Sequence, residues 1–335
     1  NAYGGSQHQS SYTDLGKTYG NVELNINGGM FHCSVFGGGY GVADAALNGD
    51  KSKVATLKNM ARVYGKSTVN INGGTFYKNI YGGGDMAVTE YYGKDAATNV
   101  TIGDKADIRG SVFGGGNGRK YGAGFDNIDN ETLLPDSVGK VIGNTNVTFV
   151  GDMQQAPTVY GDIYGGGNLA RVEGNTDVNL YAANFAGQIF GGGKGLLYDN
   201  GTENEGKVRN SADVLGNTNV SLAKDENENN KDDESKKDET YSINVIWDKV
   251  WSESRNDVLI WGSAGTEDLF FKNGKYVNPH NIYGGGNLAC RVGNYTKDEN
   301  GVETLKENTG KATVTVLKGM TPFSLLKTQE WKQSY

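Results

Sequence analysis

Proline is almost missing from this chain: 4 prolines stand beside 52 glycines in 335 residues. Collagen is excluded, because its triple helix needs frequent proline and a glycine at every third position, and these glycines keep no such period. Cysteine is scarcer still, with only Cys33 and Cys290. They lie far apart and in no metal-ligand spacing, so neither a disulfide nor a zinc site is expected. Two cysteines in this length suit either redox compartment. The histidines are His8, His32 and His280, with no two close together. Positive charge is not in excess: Lys and Arg number 32 against 39 Asp and Glu, a net charge of −7. Such a chain has no basic stripe to displace counterions from phosphates, so no nucleic-acid partner is expected. No apolar run reaches the length of a membrane span, and no signal peptide is visible. The sequence does not begin with Met, so it reads as a processed chain or a fragment.

Glycine is what the chain has in plenty, and it is ordered. A glycine triplet begins at Gly37, Gly82, Gly114, Gly165, Gly191 and Gly284. The residue before it is always aromatic: Phe36, Tyr81, Phe113, Tyr164, Phe190 and Tyr283. The residue before that is Val or Ile each time. Six copies in one frame mean a repeated structural unit, not a phosphate cradle. A cradle also needs a helix N-terminus after the glycines. These triplets lead instead into "NLARV", "YGVAD" or "NGRKYG", without helical period. The triplets read as corners, where either φ > 0 or a close backbone approach demands glycine.

The unit can be written out. "GNVELNINGGMFHCSVFGGG" from Gly20, "GKSTVNINGGTFYKNIYGGG" from Gly65 and "GNTDVNLYAANFAGQIFGGG" from Gly174 align without a gap. Leu24, Val69 and Val178 share a column, as do Ile26, Ile71 and Leu180, and Phe31, Phe76 and Phe185. Apolar, polar, apolar is the period of a strand with one buried face. Asn25, Asn70 and Asn179 fall between the apolar positions and are expected to face outward as a plain polar surface. Gly28-Gly29, Gly73-Gly74 and Ala182-Ala183 read as a corner before a second strand. Looser openings begin at Gly143, Gly216 and Gly310. The expected fold is all-β: a right-handed parallel β-helix, or solenoid, of about seven coils with loop insertions, spanning 1–335. One coil cannot bury its apolar face alone, so neighbours stack on it and like residues form columns. "AYGGS" from Ala2 reads as the remnant of one more corner, and the chain as a segment of a longer repeat protein.

The stretch 224–281 reads as an insertion. It opens with "KDENENNKDDESKKDE", a solvated loop whose oxygens lack EF-hand spacing for calcium. A segment holding Trp247, Trp251 and Trp261 comes next. Exposed, these rings would form a platform for sugars; otherwise they pack the insertion onto the flank.

Little points to catalysis. His32 and Cys33 are adjacent on a strand and so face opposite ways. G-x-S-x-G, H-E-x-x-H and paired-Cys motifs do not occur. Asp85, Asp104, Asp107, Arg109, Asp162 and Arg171 are the charged residues a polysaccharide-cleaving site would draw on, but they share no single column. No cofactor is expected.

The phrase "GNTNVTF…IYGGGN" resembles the glycine-rich repeats of large secreted or outer-surface proteins of Bacteroidetes-type bacteria. More loosely, it is similar to right-handed β-helix adhesins and autotransporter passenger domains. The resemblance implies an exported location, extracellular or on the outer cell surface. It also implies an adhesive or scaffold role. The expected function is a non-enzymatic rod with glycans or other surface proteins as partners and self-association along the axis or flank. A polysaccharide lyase or hydrolase working in a groove on one face is the alternative, and a trimeric phage-type fibre is another. Fold alone does not decide among them.

Overall fold

The computed structural model describes residues 2–5, 16–41, 60–118 except 104, 139–151, 156–197 except 182 and 186, 208–209, 212–222 and 282–316 except 289 and 301, with short strands between 243 and 276. Among the described residues every element is a strand. The strands of successive repeats lie parallel and in register, in a curled sheet compatible with a solenoid.

The opening phrase of the repeat can be explained residue by residue. The strands Val22–Phe31, Ser67–Phe76, Thr98–Ile102, Thr145–Phe149, Thr176–Leu180, Thr218–Leu222 and Ala312–Val316 stack in that order. Leu24, Val69, Val100, Val147, Val178, Val220 and Val314 form one unbroken column. From Val69 to Val220 its members are fully buried. Burying one such side chain contributes about 1.5–3 kcal/mol. In the five strands from Ser67–Phe76 to Thr218–Leu222, the Ser or Thr two residues before it also points inward, and its polarity is satisfied. The hydroxyls of Ser67, Thr98, Thr145 and Thr176 donate to the carbonyls of Gly82, Gly114, Gly165 and Gly191 at 2.5–2.7 Å. Thr218 does the same to Gly284. Each opening strand is thereby tied to the triplet that ends its own repeat. The Asn that opens the phrase serves the neighbouring repeat. Asn144 Oδ1 accepts the N–H of Asn175, Asn175 that of Asn217, and Asn217 that of Lys311, at 2.8–2.9 Å.

The predicted corner after the opening strand differs among repeats. In the first two, Val22–Phe31 and Ser67–Phe76 run through it as single strands with register shifts around Asn27. Gly29 and Gly74 have φ of 104° and 112° there. Further on the chain divides, as in Thr98–Ile102 and Ala106–Ile108. Phe76, Ile108, Val159 and Phe185 pair in sequence and are buried together. Ile243–Val245, inside the stretch read as an insertion, adds a strand beside Ala183–Phe185.

The triplets line up along one edge. Ala2–Tyr3, Val35–Phe36, Ile80–Tyr81, Val112–Phe113, Ile163–Tyr164, Ile189–Phe190 and Ile282–Tyr283 form a seven-stranded parallel sheet, so Ala2–Tyr3 takes its place in the series. The first member of each pair, Ala2 in the first and Val or Ile in the rest, faces the main core. Phe36, Tyr81, Phe113, Tyr164 and Phe190 face the other way into a second, separate cluster. Phe36, Tyr81, Phe113, Tyr164, Phe190 and Tyr283 stack with centroids 4.7–4.9 Å apart and planes within 9°. Of the two reasons offered for the glycines, close approach is the one that applies, since no triplet glycine is among the positive-φ residues. The ladder continues through them: Gly83 N–H donates to Gly115 O, and Gly115 N–H to Gly166 O, at 3.0–3.1 Å. A Cβ on Gly83 would lie 2.8 Å from the backbone nitrogen of Gly116.

A further column completes the repeat. Val63–Tyr64, Thr89–Glu90 and Val141–Ile142 pair in parallel. Single bridges carry the column on through Val172, Val214 and Val292. Sequence periodicity misses it, because one or two residues per repeat leave no period to read.

Candidate functional site

Two outward surfaces offer chemistry. The first is the outer face of the opening strands. Asn25, Asn70 and Asn179 do point outward, but they are not an unlinked polar surface. Asn70 Nδ2 donates to Asn25 Oδ1 and Asn72 Nδ2 to Asn27 Oδ1, each at 2.8 Å. Asn179 donates to Asn146 at 3.1 Å, and Asn219 to Asp177 at 3.3 Å. Partial burial raises the Asp177 carboxyl above its ordinary value, and the Asn219 bond opposes this. The stacking of repeats brings like amides within reach of one another, and the ladder is a product of that register.

The second surface is the outer side of the column through Val63 and Thr89. Thr18 bridges to Val63, so Tyr19 falls beside Tyr64. Tyr64 in turn pairs with Glu90 across the ladder. Strand alternation places Arg62 and Tyr92, two residues away on either side, on the same outer face. Tyr19 and Tyr64 stack at 5.1 Å with planes 4° apart. The Arg62 guanidinium lies 5.0 Å from the centre of the Tyr64 ring and pairs with the Glu90 carboxylate. The Tyr92 hydroxyl donates to Glu90, and this bond raises the phenol above its ordinary value. Beside this cluster Lys66 pairs with Asp95 at 2.9 Å, which raises the ammonium. Tyr19 and Tyr92 nevertheless remain 78% and 80% exposed. The signal was present in the sequence: "TYG", "VYG" and "YYG" each put Tyr before a repeat-opening or turn glycine.

Of the acids and arginines considered for catalysis, Asp85, Asp107, Arg109 and Asp162 are used in bonds within the fold. Asp85 accepts from Asn117 at 2.9 Å. Asp107 pairs with Arg109 at 3.0 Å. Asp162 is buried and accepts from the Tyr164 hydroxyl at 3.0 Å and the Gln188 N–H at 2.9 Å. Arg171 lies next to Val172 in the further column, within electrostatic reach of Asp213. His32 stacks on Tyr77 at 4.8 Å, and Cys33 is exposed and free. Cys290 is free too, and burial pushes its thiol up to about 12. Among the described residues no three His, Cys, Asp or Glu side chains gather as metal ligands. Trp247, Trp251, Trp261, Asp104, His8, His280 and the acidic stretch 224–239 lie outside the described residues. Gly37, Gly82, Gly114, Gly165, Gly191 and Gly284 each directly follow a strand of the seven-stranded sheet. No helix among the described residues is long and apolar enough to cross a membrane. Comparison with known proteins finds no matching family model, no matching curated protein and no matching solved structure.

Proposed function

We propose that the chain is a right-handed parallel β-helix of about seven coils and serves as a non-enzymatic rod on the outer cell surface or outside the cell. Its insertions and outer faces engage glycans or other surface proteins. The observation that carries this reading is the in-register repetition of the column through Val69 and of the aromatic file before the triplets. Such a body is stiff, and its neighbouring repeats present alike groups at strand spacing, roughly 4.8 Å. The resemblance of "GNTNVTF…IYGGGN" to exported bacterial repeats supports the location. Asp85, Asp107, Arg109 and Asp162, which a polysaccharide-cleaving reading would use, are engaged in structural bonds, which favours the rod over the enzyme.

The test is to present the purified chain to an array of glycans and bacterial surface proteins, and to assay the bound glycans for cleavage. Retention on the array without release of sugar supports the reading. Turnover of any bound polysaccharide, or retention on nothing, overturns it.

A further inference from the structure

We propose that Tyr19 and Tyr92 form a binding platform for uncharged sugar rings, with Arg62, Tyr64 and Glu90 holding the two rings in place. This rests on the adhesive reading above and names the class of ligand for one of its surfaces. Exposed side chains are ordinarily left to move, because ordering them costs entropy without burying apolar area. These two are held. Tyr19 lies flat on Tyr64, which Arg62 covers, while Tyr92 is anchored through its hydroxyl to Glu90. One ion pair links the two halves, since Arg62 and Glu90 bind each other. A ring fixed before binding loses little freedom on binding, which is how a preorganised surface gains affinity.

The chemistry selects the ligand. A tyrosine ring presents a flat apolar face and a polar hydroxyl tip. A pyranose has the matching amphipathic form, with C–H groups on its faces and hydroxyls at its edge. The neighbouring charges are engaged with each other, Arg62 with Glu90 and Lys66 with Asp95. The charges that hold or flank the two rings are thus paired rather than left to draw a phosphate or a uronic acid, and a neutral sugar fits the platform best.

The experiment is affinity electrophoresis of the whole chain through gels cast with a neutral glucan, a mannan or a xylan. At least one of these polymers is expected to retard the parent protein. Tyr19→Ala and Tyr92→Ala should each weaken that retardation about tenfold, the scale of one lost aromatic contact. Tyr77→Ala removes a 43% exposed tyrosine on a different strand face and should leave retardation unchanged. Both replaced platform residues are exposed, so the variants should fold, and an unchanged circular dichroism spectrum verifies this. Equal retardation of parent, Tyr19→Ala and Tyr92→Ala overturns the platform, as does failure of all three polymers to retard the parent. Either result leaves the adhesive rod standing if the array of proteins and acidic glycans still retains the chain.

Discussion

The interior repeats and the last described one share a sequence pattern but not an environment. Tyr164 and Val178 are fully buried, whereas Tyr283 and Val314, at matching positions, are each 40% exposed. The triplets differ in the same way. The middle glycines Gly83, Gly115, Gly166 and Gly192 each abut backbone atoms of the next repeat, while a Cβ on Gly285 would meet nothing within 4 Å. Burial is therefore something one repeat receives from another, and the demand for glycine is set by the neighbouring backbone rather than by local conformation.

The contrast is broken most severely at the triplets. Gly83→Ala places its methyl against Gly116 backbone that cannot rotate aside. It should cost about 3 kcal/mol or more, while Gly285→Ala should stay within about 0.5 kcal/mol. Urea unfolding of the two variants measures the difference, and equal losses would refute close approach as the reason for the triplet.

A smaller effect is expected from the inner hydroxyls. The carbonyl of Gly165 accepts from Thr145 inside the protein. Thr145→Val removes that donor at nearly constant volume and should cost about 1–3 kcal/mol, again read from urea unfolding. Thr145→Ser should restore most of the loss. In the last repeat Ala312 already occupies this position without a hydroxyl.

The smallest effect shows only in alkali. Burial pushes the Tyr81 phenol up to about 12, against the pull of hydrogen bonds from Asn79 and Asn168. An unfolded phenol titrates near 10. Its folded value is the higher one, so its contribution to stability is whole below about pH 10 and is lost as pH climbs towards 12. Tyr81→Phe should flatten that part of the alkaline unfolding profile, monitored by circular dichroism at fixed temperature. An unchanged profile would place the alkaline weakness elsewhere.

Much of the fold was legible because the repeat is long and its alternation regular. The columns through Leu24, Ile26 and Phe31 could be aligned by eye, and each proves to be a run of paired neighbours. The repetition of the triplet was legible, but the cause of its glycines was open, since sequence does not distinguish positive φ from crowding. Other features depend on groups that meet only when repeats stack. Thr98 and Gly114 are sixteen residues apart, and their bond is invisible until the strands are wound. The tyrosine flank draws on Tyr19, Tyr64 and Tyr92 from three repeats, each followed by glycine but set in phrases otherwise unlike. Their alignment needed the register of a column represented in places by a single residue.

The aromatic file has a rhythm of its own. Phe and Tyr alternate along it, and the hydroxyls of Tyr81 and Tyr164 accept from Asn168 and Asn287, each two triplets further on. Suppose residues 145–175 were excised. Thr98–Ile102 would then adjoin Thr176–Leu180 with threonine on threonine and Val100 on Val178, a join the inner columns would accept. The file would instead set Phe113 directly on Phe190, and Tyr81 would lose its amide. Growth or loss of such a protein by one repeat is thus tolerated by its core but registered by its tyrosines, and only steps of two would keep both in phase.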